Sequence, residues 1–264
     1  MIVREWKDDF VMIEQDNHAH ISGDLMRAWK DSFFAGESFR ESVEHAIFHH
    51  DYGWKTLDKQ PFWNDEKQMP YTFIDFPNKP KTVFYKHGID VVEKDDPYAA
   101  LLCSYHYSRF LLNDASLEAS DFIQTEEQRR KRIIHSLPSF DPRLFDFHYG
   151  LLQLCDNLSL YICLNEPGVT KDAEHPFYRD GISLSKSLHI SQKDKLDIQW
   201  TDTETVAVSD CPFSTPLTVT VKQKRISKKA IEATGLNDSY QKAAYEDIYI
   251  RFVQNNHSIR VRWH

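Results

Sequence analysis

The sequence predicts an α+β fold: a mainly α-helical bundle followed by a smaller antiparallel β-sheet at the C-terminus. Three observations carry that expectation. Apolar residues recur at helical spacing through most of residues 15–164. After Pro167 and Gly168 the pattern changes to short β-branched runs. No internal repeat or low-complexity tract interrupts either part. The boundary near residue 168 divides a helical portion, 1–168, from a mainly β portion, 169–264, packed on it.

Residues 2–6 (IVREW) and 10–14 (FVMIE) flank KDD and read as a hairpin over 2–14. In the next stretch Asp16 or Asn17 can cap a helix that places His18, Ile21, Ser22, Leu25, Trp29 and Phe33 at helical spacing. A second helix is expected near 38–51, with Val43, Ala46, Ile47 and His50 on one face. Residues 55–95 hold Pro61, Pro70, Pro77 and Pro80 among many aromatics, and read as a long irregular segment suited to covering a site. Asp96 and Pro97 then open a helix with Ala99, Leu102, Cys103, His106 and Phe110 on one face. TEEQRRKRII reads as a charged helix ending before Pro138, and residues 143–164 as a central helix that is apolar nearly all round. Strands are expected at 197–200, 205–208, 217–223, 247–253 and 258–263, the last two joined by a turn at QNNH.

The bulk numbers limit the function. A chain of 264 residues that is 41% hydrophobic and has only 8 glycines should fold into a packed globule. A formal charge of −8 disfavours extended nucleic acid as a partner but leaves room for a small anionic substrate. No apolar run reaches the roughly 18 residues of a membrane span, and MIVREWKDDF has charges where an export signal needs apolar residues. Cys103, Cys155, Cys163 and Cys211 show no paired spacing. They read as reduced thiols in a cytoplasmic protein.

The chemistry sits on the inward helix faces. The stretch AIFHHDYGW (46–54) puts His50 and Asp51 where the pattern calls for core residues. His18, His106 and Asp156 lie on the apolar faces of three other helices, and His148 is two turns before Asp156. A buried carboxylate among leucines is expensive unless paired or metal-bound. Imidazole and carboxylate together suit a divalent ion such as Mn, Fe, Co, Ni or Mg. His20, His45 and His49 fall off the apolar faces and are expected to face solvent. Each histidine taken singly is equally a core residue bonded to a carbonyl.

His18, the His50–Asp51 pair and Asp156 on successive helices resemble the ligand pattern of the HD-domain superfamily. That superfamily comprises helical metal-dependent phosphohydrolases and some di-iron oxygenases. The segments QDNHAHISG, HHDYGW with Asp58 and Pro61 following, CSYHYS and LQLCDNLSL also resemble an uncharacterised bacterial domain-of-unknown-function family over most of the chain. The HD pattern covers only residues 18–156. It implies His18, His50, Asp51 and Asp156 as metal ligands in an HD-like bundle. His106 falls where some members carry an extra histidine. Two-metal members usually have two such residues, and this chain clearly supplies one.

The resemblance implies a hydrolase that cleaves a phosphate ester of a small molecule or nucleotide through a metal-bound hydroxide. Asp51 would be both a metal ligand and a catalytic residue, and His106, as imidazolium, would neutralise phosphoryl charge. Asp58 would support or transfer a proton, or else simply form a turn before Pro61. Two other classes stay open: a non-haem di-iron oxygenase on the same scaffold, and a non-catalytic ligand-binding protein. Trp54, Trp63 and Tyr71 would wall the site or pack in the core. QRRKR (128–132) would attract an anion or be a solvated face, and residues 171–181 would close over the pocket or only connect. The C-terminal strands shape the pocket mouth or form an assembly surface in a homo-oligomer. Asp156→Asn should weaken metal binding and raise the stability of the ion-free protein, because a neutral group is cheaper to bury.

Overall fold

The computed structural model describes residues 1–214 and 216–255. It is an α+β structure in which a six-stranded sheet flanks a helical body. The expected strand at 258–263 lies outside the described residues, as does the second half of the QNNH turn.

Strands β1 (Ile2–Trp6) and β2 (Asp9–Ile13) form the expected hairpin, with Ile2 opposite Ile13 and Trp6 opposite Asp9. Lys7 takes φ of 56° in the tight turn between them. Two short ribbons follow later in the chain, β3 (Trp63–Asn64) with β4 (Met69–Pro70) and β5 (Ile182–Ser183) with β6 (Lys195–Leu196). The remaining strands are β7 (Ile198–Trp200), β8 (Thr205–Val208), β9 (Leu217–Ser227) and β10 (Tyr245–Gln254). The main sheet runs β1-β2-β9-β10-β8-β7. All of its pairs are antiparallel except β8 with β10. The N-terminal hairpin thus completes a sheet whose other strands follow the helices, and one hydrophobic core runs from Ile2 through the helices to Phe252.

The helical body begins with α1 (Gln15–Arg27) and α2 (Arg40–His49). Glu14, not Asp16 or Asn17, occupies the cap position of α1, and Asp16 lies in its first turn, where a negative charge favours the helix dipole. A four-residue helix, α3 (Lys55–Asp58), follows the turn at Tyr52–Trp54. The next helix, α4 (Asn78–Asp95), replaces part of the irregular segment expected over 55–95. Pro80 sits in its first turn, where a missing N–H breaks no intrahelical bond, so the proline that looked like a breaker is tolerated. Helix α5 (Pro97–Arg109) starts as its sequence predicts, with the Asp96 carboxylate accepting from Ala99 N. Helices α6 (Leu117–Ser136) and α7 (Pro142–Leu164) follow. Beyond β9 come α8 (Lys228–Thr234) and α9 (Leu236–Lys242). No helix among the described residues is long and apolar enough to cross a membrane.

Two glycines set the position of the His50–Asp51 turn. A Cβ on Gly88 of α4 would lie 2.6 Å from Gly53 N, and one on Gly53 would lie 2.5 Å from the Phe84 carbonyl oxygen. Backbone therefore meets backbone, and α4 buttresses the turn instead of covering a pocket. Gly88→Ala is expected to destabilise the protein by about 1–3 kcal/mol, because the clash is with main chain that cannot rotate away. Urea unfolding of the variant measures this.

Candidate metal centre

Helices α1, α2, α5 and α7 pack on one another and bring five side chains into one buried cluster. His18 and His50 are completely buried, and His106, Asp51 and Asp156 nearly so. His18 Nε2 stands 3.2 Å from His50 Nε2, 3.2 Å from Asp156 Oδ1 and 3.6 Å from Asp51 Oδ2. His50 Nε2 is 3.6 Å from Asp156 Oδ1 and 3.9 Å from Asp51 Oδ2. His106 Nε2 joins from α5 at 3.7 Å from Asp51 Oδ1. Donors held about 2.1 Å from one ion stand about 3.0 Å apart at octahedral angles and about 3.4 Å at tetrahedral ones. The observed separations fall in that range or slightly above it.

The outer partners orient the rings. His50 Nδ1 lies 2.7 Å from the Ile47 carbonyl, which can only accept, so the Nδ1 proton points there and the Nε2 lone pair faces the cluster. The Ser159 hydroxyl lies 2.9 Å from the Asp156 carbonyl and 2.6 Å from His18 Nδ1. With its proton on that carbonyl, Ser159 accepts from His18 Nδ1 and leaves His18 Nε2 as a donor atom for an ion. Ser22 braces this arrangement 2.7 Å from Ser159 Oγ. Gln15 Nε2 donates to Asp51 Oδ2 at 3.0 Å, and its own Oε1 is buried without a partner. Two inward lone pairs and two carboxylates repel one another unless a positive charge stands among them, either a proton on a ring or a metal ion, and the donor set fits a divalent ion.

The charges are tuned in the same sense. Burial would raise the Asp156 carboxyl, but hydrogen bonds from His18 and His50 and the charge of Arg109 hold it well below the usual carboxylate range. Asp51 is likewise lowered against its burial, mainly by His50 and then His106. Burial pushes His50 down, yet Asp51 and Asp156 outweigh it and leave the ring above its ordinary value. His106 differs. Burial dominates there and takes it to about 4, so the ring is neutral at pH 7 rather than the imidazolium expected from sequence. A neutral ring can still serve as a ligand, and its Nδ1 is buried without a hydrogen-bond partner.

Several expected residues are placed elsewhere. Asp58 turns away from the cluster: its oxygens lie 2.6 Å from Gln15 N and 2.6 Å from the Met1 amino group. It reaches Asp51 only through Gln15, which suits a bracing group and gives no direct path for a proton. His148 spends both nitrogens outside the cluster, on Tyr98 OH at 2.7 Å and the Ala35 carbonyl at 2.9 Å. Trp54 packs edge-on to Tyr85 and Phe76, Trp63 to Phe10, and Tyr71 to Phe76. His20 stacks on Phe48, and His45 and His49 are half-buried rather than solvent-facing. Residues 171–181 are tied down, because buried Glu174 accepts from Tyr161 OH and Lys171 Nζ, each at 2.7 Å.

The residues that sequence reasoning missed are Gln15, Ser159 and Arg109. Each lies three positions from a cluster residue on the same helix: Gln15 from His18, Ser159 from Asp156, Arg109 from His106. That i,i+3 spacing was the available signal. Arg109 matters most, since its guanidinium donates to Asp156 Oδ2 at 2.9 Å while a quarter of the side chain, 24%, stays exposed.

Every residue of this cluster lies within residues 1–228, which match the family model described as "Protein of unknown function (DUF3891)". The chain belongs to that family. The DUF3891 match takes in helices α1 to α7 and every strand of the main sheet except β10. No curated protein and no solved structure matches the chain.

Proposed function

We propose that this DUF3891 protein is a metal-dependent hydrolase of the HD type that cleaves a phosphate ester of a small molecule or nucleotide. One observation carries the reading. The inward imidazole nitrogens of His18, on α1, and His50, at the end of α2, stand 3.2–3.9 Å from each other and from the carboxylates of Asp51, in the following turn, and Asp156, on α7, while outer partners fix both rings with Nε2 inward. Their order along the chain, His then His-Asp then Asp, is the HD order, and four facing helices are a workable frame for such a site.

A divalent ion held there would supply Lewis acidity, lowering the pKa of a coordinated water and drawing charge from a phosphoryl oxygen. The chain does the rest. His18 and His50 hold position through Ser159 and the Ile47 carbonyl. Asp51 is steadied by Gln15, and His106 offers a neutral nitrogen beside it. Arg109 supplies the positive charge at the cluster margin that His106 does not.

Elemental analysis of the purified protein, with turnover of p-nitrophenyl phosphate before and after chelation, tests the proposal. About one divalent ion per chain and activity lost on chelation are expected. Two irons with an oxidised absorption band would favour the oxygenase class. A protein free of metal after growth and reconstitution would leave only ligand binding.

A further inference from the structure

A cleft of about 580 Å³ opens between α5, α6 and α7, and Arg109 connects it to the cluster. Its walls include Tyr105, Arg109, Arg130, Lys131, Tyr149 and Gln153. Gln153 and Tyr149 lie three and seven residues before Asp156, on the same face of α7, so the cleft runs along that helix towards the cluster. The volume lies in the range of small-molecule sites.

The charge run on α6 divides between two faces. Arg129 pairs with Asp90, Glu93 and Glu126, and Arg132 with Glu93. Arg130 and Lys131 line the cleft instead, and among the described residues neither has a carboxylate within ion-pair distance. Glu127 is the one acidic residue in the cleft wall, against Arg109, Arg130 and Lys131. A local excess of cations in a chain of net charge −8 calls for an anionic occupant.

The cleft also has a flat apolar side. The rings of Tyr105 and Tyr149 stand 5.8 Å apart, and the Arg130 guanidinium lies 4.5 Å over the Tyr105 ring. Ser108 is nearly fully buried in the wall, and its hydroxyl has no hydrogen-bond partner.

We propose that this cleft is the substrate pocket and takes a small phosphomonoester-type dianion attached to a planar apolar body. Arg130 and Lys131 capture the anion on entry, Tyr105 and Tyr149 face the planar group, and Arg109 lies between this pocket and the cluster where the phosphoryl group would react. The proposal rests on the hydrolase reading for the word substrate, while binding at the cleft stands independently of the metal.

Calorimetric titration with phenylphosphonate, which has no ester to hydrolyse, tests it, with inorganic phosphate as the anion lacking the planar group. Phenylphosphonate is expected to bind wild type more tightly than phosphate does. Binding should weaken at least about tenfold in the Arg130→Gln/Lys131→Gln double variant. It should persist in the charge-preserving Arg130→Lys/Lys131→Arg pair and in Asp51→Ala. No saturable binding to wild type, or equal binding in the double variant, overturns the pocket. Binding lost in Asp51→Ala but kept in the double variant places the anion on the metal and also overturns it. Binding at the cleft of wild-type protein that takes up no metal even after reconstitution would sink the hydrolase reading alone.

Discussion

Asp51→Ala is expected to lower metal affinity by at least about 100-fold, since even outer-sphere changes at metal sites cost about 10- to 100-fold. Asp51 sits 3.6 Å and 3.9 Å from the two inward imidazole nitrogens and 3.7 Å from His106, so no neighbouring carboxylate can replace all three approaches. The loss also appears as stability. An ion present at about a thousandfold above its dissociation constant stabilises the folded state by about 4 kcal/mol, and the variant forgoes that increment. Helical content should be little changed, because Asp51 lies in the turn after α2, outside any regular helix. Metal content after gel filtration and a melting curve with and without added ion are the two measurements. Full occupancy in the variant would remove Asp51 from the ligand set.

The second large effect reverses what the sequence implies. Burial cost alone says that Asp156→Asn should make the ion-free protein more stable. Arg109 changes the sign. Its guanidinium lies 2.9 Å from Asp156 Oδ2, and His18 Nε2 lies 3.2 Å from Oδ1. A neutral amide would leave Arg109 directed at a buried region with no counter-charge. Removing one partner of a buried ion pair costs about 3–5 kcal/mol. Because Arg109 keeps 24% exposure and can turn towards solvent, a smaller loss of about 1–3 kcal/mol is expected. Urea unfolding in the presence of a chelator isolates this contribution. A variant as stable as wild type would mean that Arg109 is held by the cleft and not by Asp156.

The two cases show what periodicity can and cannot deliver. The inward placement of His18, His50, His106 and Asp156 was legible because each falls on an apolar helix face, and that spacing is a property of one helix at a time. The start of α5 was legible for a similar reason, since Asp96 and Pro97 act on the next few residues. Helix α4 was not. Its prolines lie at the cap and in the first turn, positions where they do no harm, and Val83, Val91 and Val92 weaken its helical signature. Whether Asp58 braces the cluster or transfers a proton was not legible, because its partners, Gln15 N and the Met1 amino group, come from the other end of a long excursion of the chain. The place of His148 is decided by Tyr98 and Ala35, which come from distant parts of the chain. Long-range partners decide such roles, and local sequence does not contain them.

The sheet has a further consequence for how the molecule is made. Met12 of β2 pairs with Lys224 of β9, so the β1–β2 hairpin waits for a strand synthesised after every helix that carries a cluster residue. Through that interval the open edge of β2 offers unpaired amides and carbonyls to any other extended chain. Assembly of the sheet is therefore a late, high-contact-order event, and crowded or overheated expression should lose protein to aggregates before the helices that carry the His/Asp cluster are themselves at fault.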